Sequence, residues 1–333
     1  MLKMAINGFG RIGRAAFKVA LARDDVQVVA VNDLGDIDNL AYLLRYDSVY
    51  GRYAESVEVT DDGLKVGKKQ VRVLQEADPT KLPWKDLGVD VVVESTGVFT
   101  EREKAAQHLT AGAKQVIISA PTKSEDVQTV VSGVNDDDLK GKDIASNASC
   151  TTNCVSPVTA VLVAMFGIEK ALMTTVHAYT ATQSLVDGPA KKDFTRGRAA
   201  GLNLVPSSTG AAIAVTKTLP SLEGKFDGVS LRVPVPVVSM ADMTFVLSKK
   251  TSVEEVNNIF KEAAENPIYR GVLGVVDEPV VSTDFIGDPH SATVDLSMTR
   301  VVGGDLVKVM AWYDNEWGYA NRLVEQVAQF ADN

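Results

Sequence analysis

Hydrophobic and polar positions follow one rhythm in the first half of the chain and another in the second. Near the start, Met4-Ala5-Ile6 predicts a buried strand, helical spacing continues to about Arg23, and Val26–Val31 predicts a second strand ending in Asn32-Asp33. Val89–Glu94 and Gln115–Ala120 are further β-branched runs, with a helix predicted over Glu101–Ala111 between them. Strand–helix–strand alternation of this kind predicts a parallel sheet covered on both faces. Tyr42–Tyr53 and Ser56–Val73 read as excursions with hairpin character, while His108 and Lys81-Leu82-Pro83-Trp84 read as surface or packing residues. Beyond residue 167 the pattern changes. Leu172–His177, Gly228–Val238, Met240–Lys249, Thr293–Met298 and Leu306–Tyr313 predict strands, with one clear helix at Val253–Glu265. Few helices between strands imply a mostly antiparallel sheet. Tyr319–Phe330 regains helical spacing through Leu323, Val324, Val327 and Phe330, and is expected to pack back on the first half.

The turn after the first strand carries the first chemical signal. Asn7-Gly8-Phe9-Gly10-Arg11-Ile12-Gly13 is G-x-G-x-x-G between a strand and a helix, and Asp33 follows 20 residues beyond Gly13. That context is the dinucleotide-binding fingerprint: Gly10 lets the backbone approach a pyrophosphate lying on the helix N-terminus, and Asp33 accepts from a ribose 2′-OH. Ligands of such sheets meet the carboxyl ends of the strands, which nominates Thr96, Gly97, Phe99 and Ser119 as lining. The expected architecture is an α/β Rossmann-type doubly wound domain (1–149, with the C-terminal helix 317–333) plus an α+β catalytic domain (150–316).

Between the two halves, Ser149 is placed to cap a helix whose first turn holds Cys150 and whose apolar run, Val155–Phe166, ends at Gly167. Helix N-termini favour a thiolate, the nucleophilic form. His177, closing the apolar run Ala171–Val176, is the candidate base. Arg232 stands in an apolar strand where an unpaired cation is costly, so an anionic ligand is expected there. Ser207-Ser208-Thr209-Gly210 before the helix Ala211–Lys217 reads as an anion cup or a simple cap. The long polar segment Thr180–Gly201 is of a length found in functional or interface loops.

Totals narrow the function further. Thirty-four basic against 43 acidic residues give a net charge of −9, which argues against nucleic acid or an anionic membrane as the principal partner. Two cysteines four residues apart form neither a disulfide framework nor a zinc site, so no metal is expected; Cys154 reads as a buried small residue and His290 as a loop histidine. The opening Met1-Leu2-Lys3-Met4 runs straight into the first strand without a leader, and no apolar run is long enough to span a bilayer; a cytoplasmic protein is expected.

Four segments resemble the phosphorylating glyceraldehyde-3-phosphate dehydrogenase family: Ala148-Ser149-Cys150-Thr151-Thr152-Asn153, the glycine turn, Thr175-Val176-His177-Ala178-Tyr179-Thr180-Ala181-Thr182-Gln183, and Trp312-Tyr313-Asp314-Asn315-Glu316-Trp317-Gly318-Tyr319. The related erythrose-4-phosphate dehydrogenase family shares the cysteine segment and the Asn-Glu-Trp-Gly ending and is the alternative. The resemblance implies NAD-dependent oxidation of glyceraldehyde 3-phosphate in glycolysis and gluconeogenesis, through a Cys150 thiohemiacetal and thioester cleaved by inorganic phosphate, with His177 as base. It places the substrate's phosphate on Thr180 and Arg232 and the attacking phosphate on Ser149, Thr151, Thr209 and Gly210. Arg196 joins these sites, with Arg198 as its competitor. On the cofactor side it implies Gly8, Phe9, Gly10, Arg11, Ile12, Gly13, Asp33, Pro189, Asn315 and Tyr319. The family's usual Glu-Arg-Asp-Pro appears as Glu76-Ala77-Asp78-Pro79, so an adenine-side arginine is missing. A homotetramer is also implied, its Thr180–Gly201 loop beside a neighbour's cofactor.

Overall fold

The computed structural model describes residues 1–190 and 193–331. Two compact units emerge, the first made of Met1–Val130, Asp136–Ala148 and the chain from Ala320 on, the second of Val131–Asn135 and Ser149–Tyr319.

In the first unit the chain runs β1 (Leu2–Asn7), α1 (Arg11–Leu21), β2 (Val26–Asn32), α2 (Ile37–Arg45), a small hairpin β3 (Tyr46–Asp47) and β4 (Gly51–Arg52), then β5 (Val57–Thr60), β6 (Gly63–Val66) and β7 (Lys69–Leu74). It continues through α3 (Trp84–Leu87), β8 (Val91–Glu94), α4 (Arg102–Thr110), β9 (Gln115–Ile118), β10 (Gln128–Thr129) and β11 (Ile144–Ser146). The sheet order is β10-β11-β9-β8-β1-β2-β7-β6-β5, parallel from β10 to β7. Strand order reverses at β1, the point where ligands of doubly wound sheets bind. Val91, Val92 and Val93 are all wholly buried, as expected of a central strand with both faces covered.

Three expectations are sharpened here. Tyr42 to Arg45 belong to the last turn of α2, so only the short β3–β4 hairpin remains of the first excursion. Ser56–Val73 is a meander whose last strand joins the main sheet, pairing Ala30 with Arg72 in parallel. Of the two readings of His108, packing holds: its side chain is wholly buried.

The second unit contains α5 (Cys150–Phe166), β12 (Ile168–Ala178), β13 (Val205–Ser208), α6 (Ala211–Thr218), β14 (Phe226–Val233), β15 (Ser239–Leu247), α7 (Val253–Glu265), β16 (Leu273–Val276), β17 (Ala292–Asp295), β18 (Arg300–Val302) and β19 (Leu306–Tyr313). Its sheet order is β13-β14-β12-β15-β19-β17-β16, with β18 on β19. The sheet is mostly antiparallel, but β12–β14 and β16–β17 pair in parallel. β14 stops at Val233 rather than Val238, because Pro234 and Pro236 have no N–H to give a ladder. One face of the sheet packs on α5 through Met173, Met243, Phe245, Val307 and Val309.

The last helix, α8 (Trp317–Ala331), contributes its residues from Ala320 to the first unit. Leu323, Val324, Val327 and Phe330 are wholly buried there, and Gln115 Nε2 donates to Phe330 O at 2.9 Å. Residues 332–333 of the expected helix lie outside the described residues. Among those described, no helix is long and apolar enough to cross a membrane.

Candidate active site

The chain enters α5 through Ala148, held at φ 56° in the left-handed region that a residue with a Cβ adopts at a cost of about 1 kcal/mol or more. Ser149 then caps the helix in extended backbone, its Oγ accepting from Thr152 N at 3.2 Å. Cys150 is therefore the first helical residue, half-buried, with its Sγ 3.5 Å from His177 Nε2. The expected thiolate is opposed by its surroundings. Burial pushes the Cys150 thiol up, while the Arg232 guanidinium and the N–H groups of Cys150 and Thr151 act the other way. Cys154, one turn on, is wholly buried, and burial drives its thiol well above the ordinary range.

His177 lies at the end of β12, 4% exposed, and its imidazole pKa falls to about 3 because burial and then the Arg232 guanidinium disfavour a second positive charge. Arg232 is its register partner on β14. Arg232 Nη1 lies 2.7 Å from His177 Nδ1 and donates to Ala178 O at 3.1 Å, while its Nε is buried without a hydrogen-bond partner. Tyr313 supports the ensemble from β19. Its ring stands edge-on to His177 at 6.0 Å, and its hydroxyl bonds Thr151 Oγ1 and Thr175 Oγ1 at 2.9 and 2.7 Å. Ser239 Oγ accepts from Ala178 N at 3.1 Å and donates to Asn315 Oδ1 at 3.0 Å, tying the residue after His177 to the nominated cofactor residue. Val238, just before, has φ 66°, a strained backbone for a β-branched residue. Neither Tyr313 nor Ser239 was nominated from sequence.

Of the anion candidates, Arg196 lies near enough to Arg232 and His177 to act on both electrostatically; it donates to Ser207 Oγ at 3.0 Å and pairs with Asp193. Arg198 is instead exposed and paired with Asp187 at 2.9 Å. Thr209 Oγ1 accepts from Ala211 N, Gly210 is the N-cap residue of α6, and Thr180 Oγ1 shares a hydrogen bond with Thr182 Oγ1. Pro189 is exposed in the long loop; Asn315 and Tyr319 are buried.

In the first unit, a groove of about 450 Å³ opens where the strand order reverses, lined by Gly8, Gly10, Asp33, Thr96 and Phe99, and by Asn7, Asn32, Leu34, Glu76, Ala77, Ser95 and Val98. Gly8 has φ 95°, and a Cβ there would meet Ser95 C at 2.7 Å; a Cβ on Gly13 would meet Gly8 O at 2.1 Å. Both glycines are thus required by backbone packing, whereas a Cβ on Gly10 would point into open space. α1 starts at Arg11 without a side-chain cap, leaving first-turn N–H groups for an anion. Asp33 closes the end of β2, its carboxylate accepting from Phe9 N and Gly35 N at 2.7 and 2.8 Å. Arg11 is held by Asp47 in a two-pronged ion pair, and Gly97 and Ser119 stand outside the groove wall. These residues fit a dinucleotide.

Comparison with known proteins agrees. The family model for the glyceraldehyde 3-phosphate dehydrogenase NAD binding domain matches residues 2–102, and that for the C-terminal domain of the same family matches 149–315. Glyceraldehyde-3-phosphate dehydrogenase 1 of Streptomyces avermitilis is 53% identical over 97% of both chains. The glyceraldehyde-3-phosphate dehydrogenase of Zymomonas mobilis is 50% identical and its Bacillus subtilis counterpart 52%, each over 99% of this chain and 98% of its own. The chain belongs to the glyceraldehyde-3-phosphate dehydrogenase family. The erythrose-4-phosphate alternative is not favoured.

For this family member, the depressed His177 pKa has a consequence for stability. An unfolded chain takes up a proton on this histidine below its ordinary value of 6.5, while the folded one resists until about 3, so stability present at neutral pH is lost as pH falls through that window. At about pH 5 the loss from this one residue is about 2 kcal/mol. Urea midpoints at neutral and acid pH should therefore fall further for the native protein than for His177→Asn; equal falls would contradict the assignment.

Proposed function

We propose that this chain oxidises D-glyceraldehyde 3-phosphate with NAD and inorganic phosphate to 1,3-bisphosphoglycerate. The observation that carries this is the Cys150 Sγ–His177 Nε2 approach of 3.5 Å at a capped helix N-terminus, in a member of this family. NAD, when held by the Gly8–Gly13 turn, Asp33, Thr96 and Phe99, supplies the hydride acceptor. Cys150 attacks the aldehyde carbon to form a thiohemiacetal, and its thiol proton passes to His177 Nε2. The imidazolium N–H and the Cys150 backbone N–H stabilise the oxyanion that develops, and the Nε2 proton then passes to that oxygen, giving the hydroxyl and a neutral His177. His177 then removes the hydroxyl proton as hydride leaves the carbon, giving a thioester. Phosphate attacks that thioester and releases the acyl phosphate and free Cys150. We assign the substrate phosphate to Thr180, Arg196 and Arg232, and the attacking phosphate to Ser149, Thr151, Thr209 and Gly210.

We further infer a cytoplasmic homotetramer. A reducing compartment suits its two free cysteines. Support for assembly comes from an apolar surface of the second unit, where Leu172 of β12 and Ile213 of α6 are more than half exposed and line a hollow of about 970 Å³. Light scattering should give four times the 35.6 kDa chain mass.

The deciding experiment is NADH formation from glyceraldehyde 3-phosphate with and without phosphate, alongside erythrose 4-phosphate. Fast, phosphate-dependent turnover of the three-carbon sugar is expected; preference for the four-carbon sugar would overturn the proposal. Asp33→Gly should lower kcat/KM for NAD by about tenfold to a hundredfold, because a charge-assisted hydrogen bond and an anchor of the loop are lost together. Use of NADP should rise as carboxylate–phosphate repulsion disappears. Unchanged NADP use would contradict the 2′-OH role.

A further inference from the structure

The end of β12 is held differently from the rest of that strand. As far as Val176, β12 pairs with β15, whose Met240 is the last partner in that ladder. One more step would set Ser239 opposite His177, but the ladder stops, because Val238 turns the chain away at φ 66°. A β-branched residue is poorly suited to left-handed backbone, which glycine adopts freely. Among the described residues only Ala148 shares that region without being glycine. Such strain persists where the surroundings fix a residue from several sides. Residues 234–239 supply those restraints. The rings of Pro234 and Pro236 lock φ at about −65°. Val235 N bonds back to Val233 O at 2.8 Å, and Val237 and Val238 are both buried.

What this strained segment holds is the chain that leaves His177. Ala178 N donates to Ser239 Oγ and Tyr179 N to Val235 O, each at 3.1 Å, so both N–H groups that follow the histidine end on it. On its other side β12 stays paired with β14 as far as Ala178 and Val233. The strand end is thus gripped from both sides. The Ser239 oxygen, already accepting from Ala178 N, has one proton to give, and it goes to Asn315 Oδ1 at 3.0 Å. Ser239 is also the ladder partner of Tyr313, whose ring stands edge-on to His177. We propose that residues 234–239 form a strained clip in which Ser239 is a positioning residue: its hydroxyl, placed by the turn at Val238, fixes the end of β12 and so the reach of His177 toward Cys150. The proposal rests on the reading above that this pair carries the oxidation. A displacement of about 1 Å between reacting groups costs about a hundredfold in rate, which gives the strain at Val238 its use.

Ser239→Ala should lower kcat for NADH formation by about tenfold to a hundredfold, with KM for glyceraldehyde 3-phosphate within about twofold of native. Ser239→Thr keeps the hydroxyl and should stay within about threefold of native. Rates are referred to the folded fraction, so lost stability alone leaves kcat at its native value. Alkylation of Cys150 by iodoacetamide is the second readout, since it needs neither cofactor nor sugar. It should slow at least about threefold in Ser239→Ala and stay near native in Ser239→Thr. Val238 is tested by a pair of variants. Val238→Ala and Val238→Gly lose nearly the same packing, but only glycine is at ease at φ 66°. Val238→Gly should have the higher urea midpoint of the two, reversing the order of ordinary backbone, and a kcat lower by about threefold or more, because the freed turn no longer holds Ser239. Native kcat in folded Ser239→Ala, a Ser239→Thr as slow as Ser239→Ala, or a Val238→Gly less stable than Val238→Ala would overturn the proposal. Alkylation that follows the clip without turnover of the sugar keeps the positioning and sinks the oxidation. Turnover with both readouts indifferent to Ser239 does the reverse.

Discussion

Replacing Cys150 with serine should lower phosphate-dependent NADH formation by at least about 10⁴-fold, some 5.5 kcal/mol of transition-state stabilisation. A hydroxyl in this position is a far weaker nucleophile than sulfur, and an ester lacks the reactivity of the thioester toward phosphate. Size and polarity change little, so Ser149 should still cap α5 and NAD should still bind. Intact mass spectrometry supplies the second readout. Without phosphate, the native protein given aldehyde and NAD should gain the acyl group on Cys150, whereas the serine variant should not. Cys154→Ser is the control: its wholly buried thiol touches no reacting atom, so acylation should persist even if stability drops. Acylation of Cys150→Ser, or activity within tenfold of native, would remove Cys150 from the mechanism.

How legible these features were depended on their separation along the chain. The glycine turn could be read because strand, turn and helix are contiguous, and each glycine answers a backbone demand a few residues away, as Gly13 does against Gly8 O. The Ser149 cap and the Cys150 position were legible for the same reason. The environment of His177 was not. Arg232 reaches it only because β14 pairs in parallel with β12 across 55 residues, and a parallel neighbour inside a mostly antiparallel sheet leaves no local mark. Tyr313 and Ser239 arrive from still more distant strands. The helix N-terminus suggested a thiolate, but desolvation, which depends on everything packed around Cys150, has the larger influence. Arg196 and Arg198 could not be separated by sequence since both are loop cations two residues apart; only the fold shows one beside Ser207 and the other out at Asp187.

His108 was the residue most underrated, and through it Glu94 yields the second large effect: Glu94→Gln should cost about 3–5 kcal/mol of stability. Glu94 is 1% exposed, and all its side-chain partners are donors. Oε2 accepts from Asn7 Nδ2 at 2.6 Å and meets His108 Nε2 at 3.0 Å. Oε1 accepts from Thr96 N at 2.8 Å and from the Thr96 hydroxyl. Glutamine offers one acceptor and one NH₂, so one orientation sets Asn7 Nδ2 and His108 Nε2 against an N–H and the other sets Thr96 N against one, where only the Thr96 hydroxyl can turn to accept. The imidazole cannot adapt. Trp84 Nε1, which only donates, already bonds His108 Nδ1 at 3.0 Å, so the ring proton must stay on Nε2 and point at position 94. Asn7 is likewise fixed, its Oδ1 accepting from Asn32 Nδ2 at 2.7 Å. Since Asn7, Asn32 and Thr96 line the dinucleotide groove, NAD affinity should fall with stability, by about tenfold, in protein that remains folded. Urea denaturation and titration of NAD against the folded variant separate the two losses. A change under about 0.5 kcal/mol would mean that water or side-chain rearrangement satisfies the network, and that Glu94 does not hold the end of β8 in place.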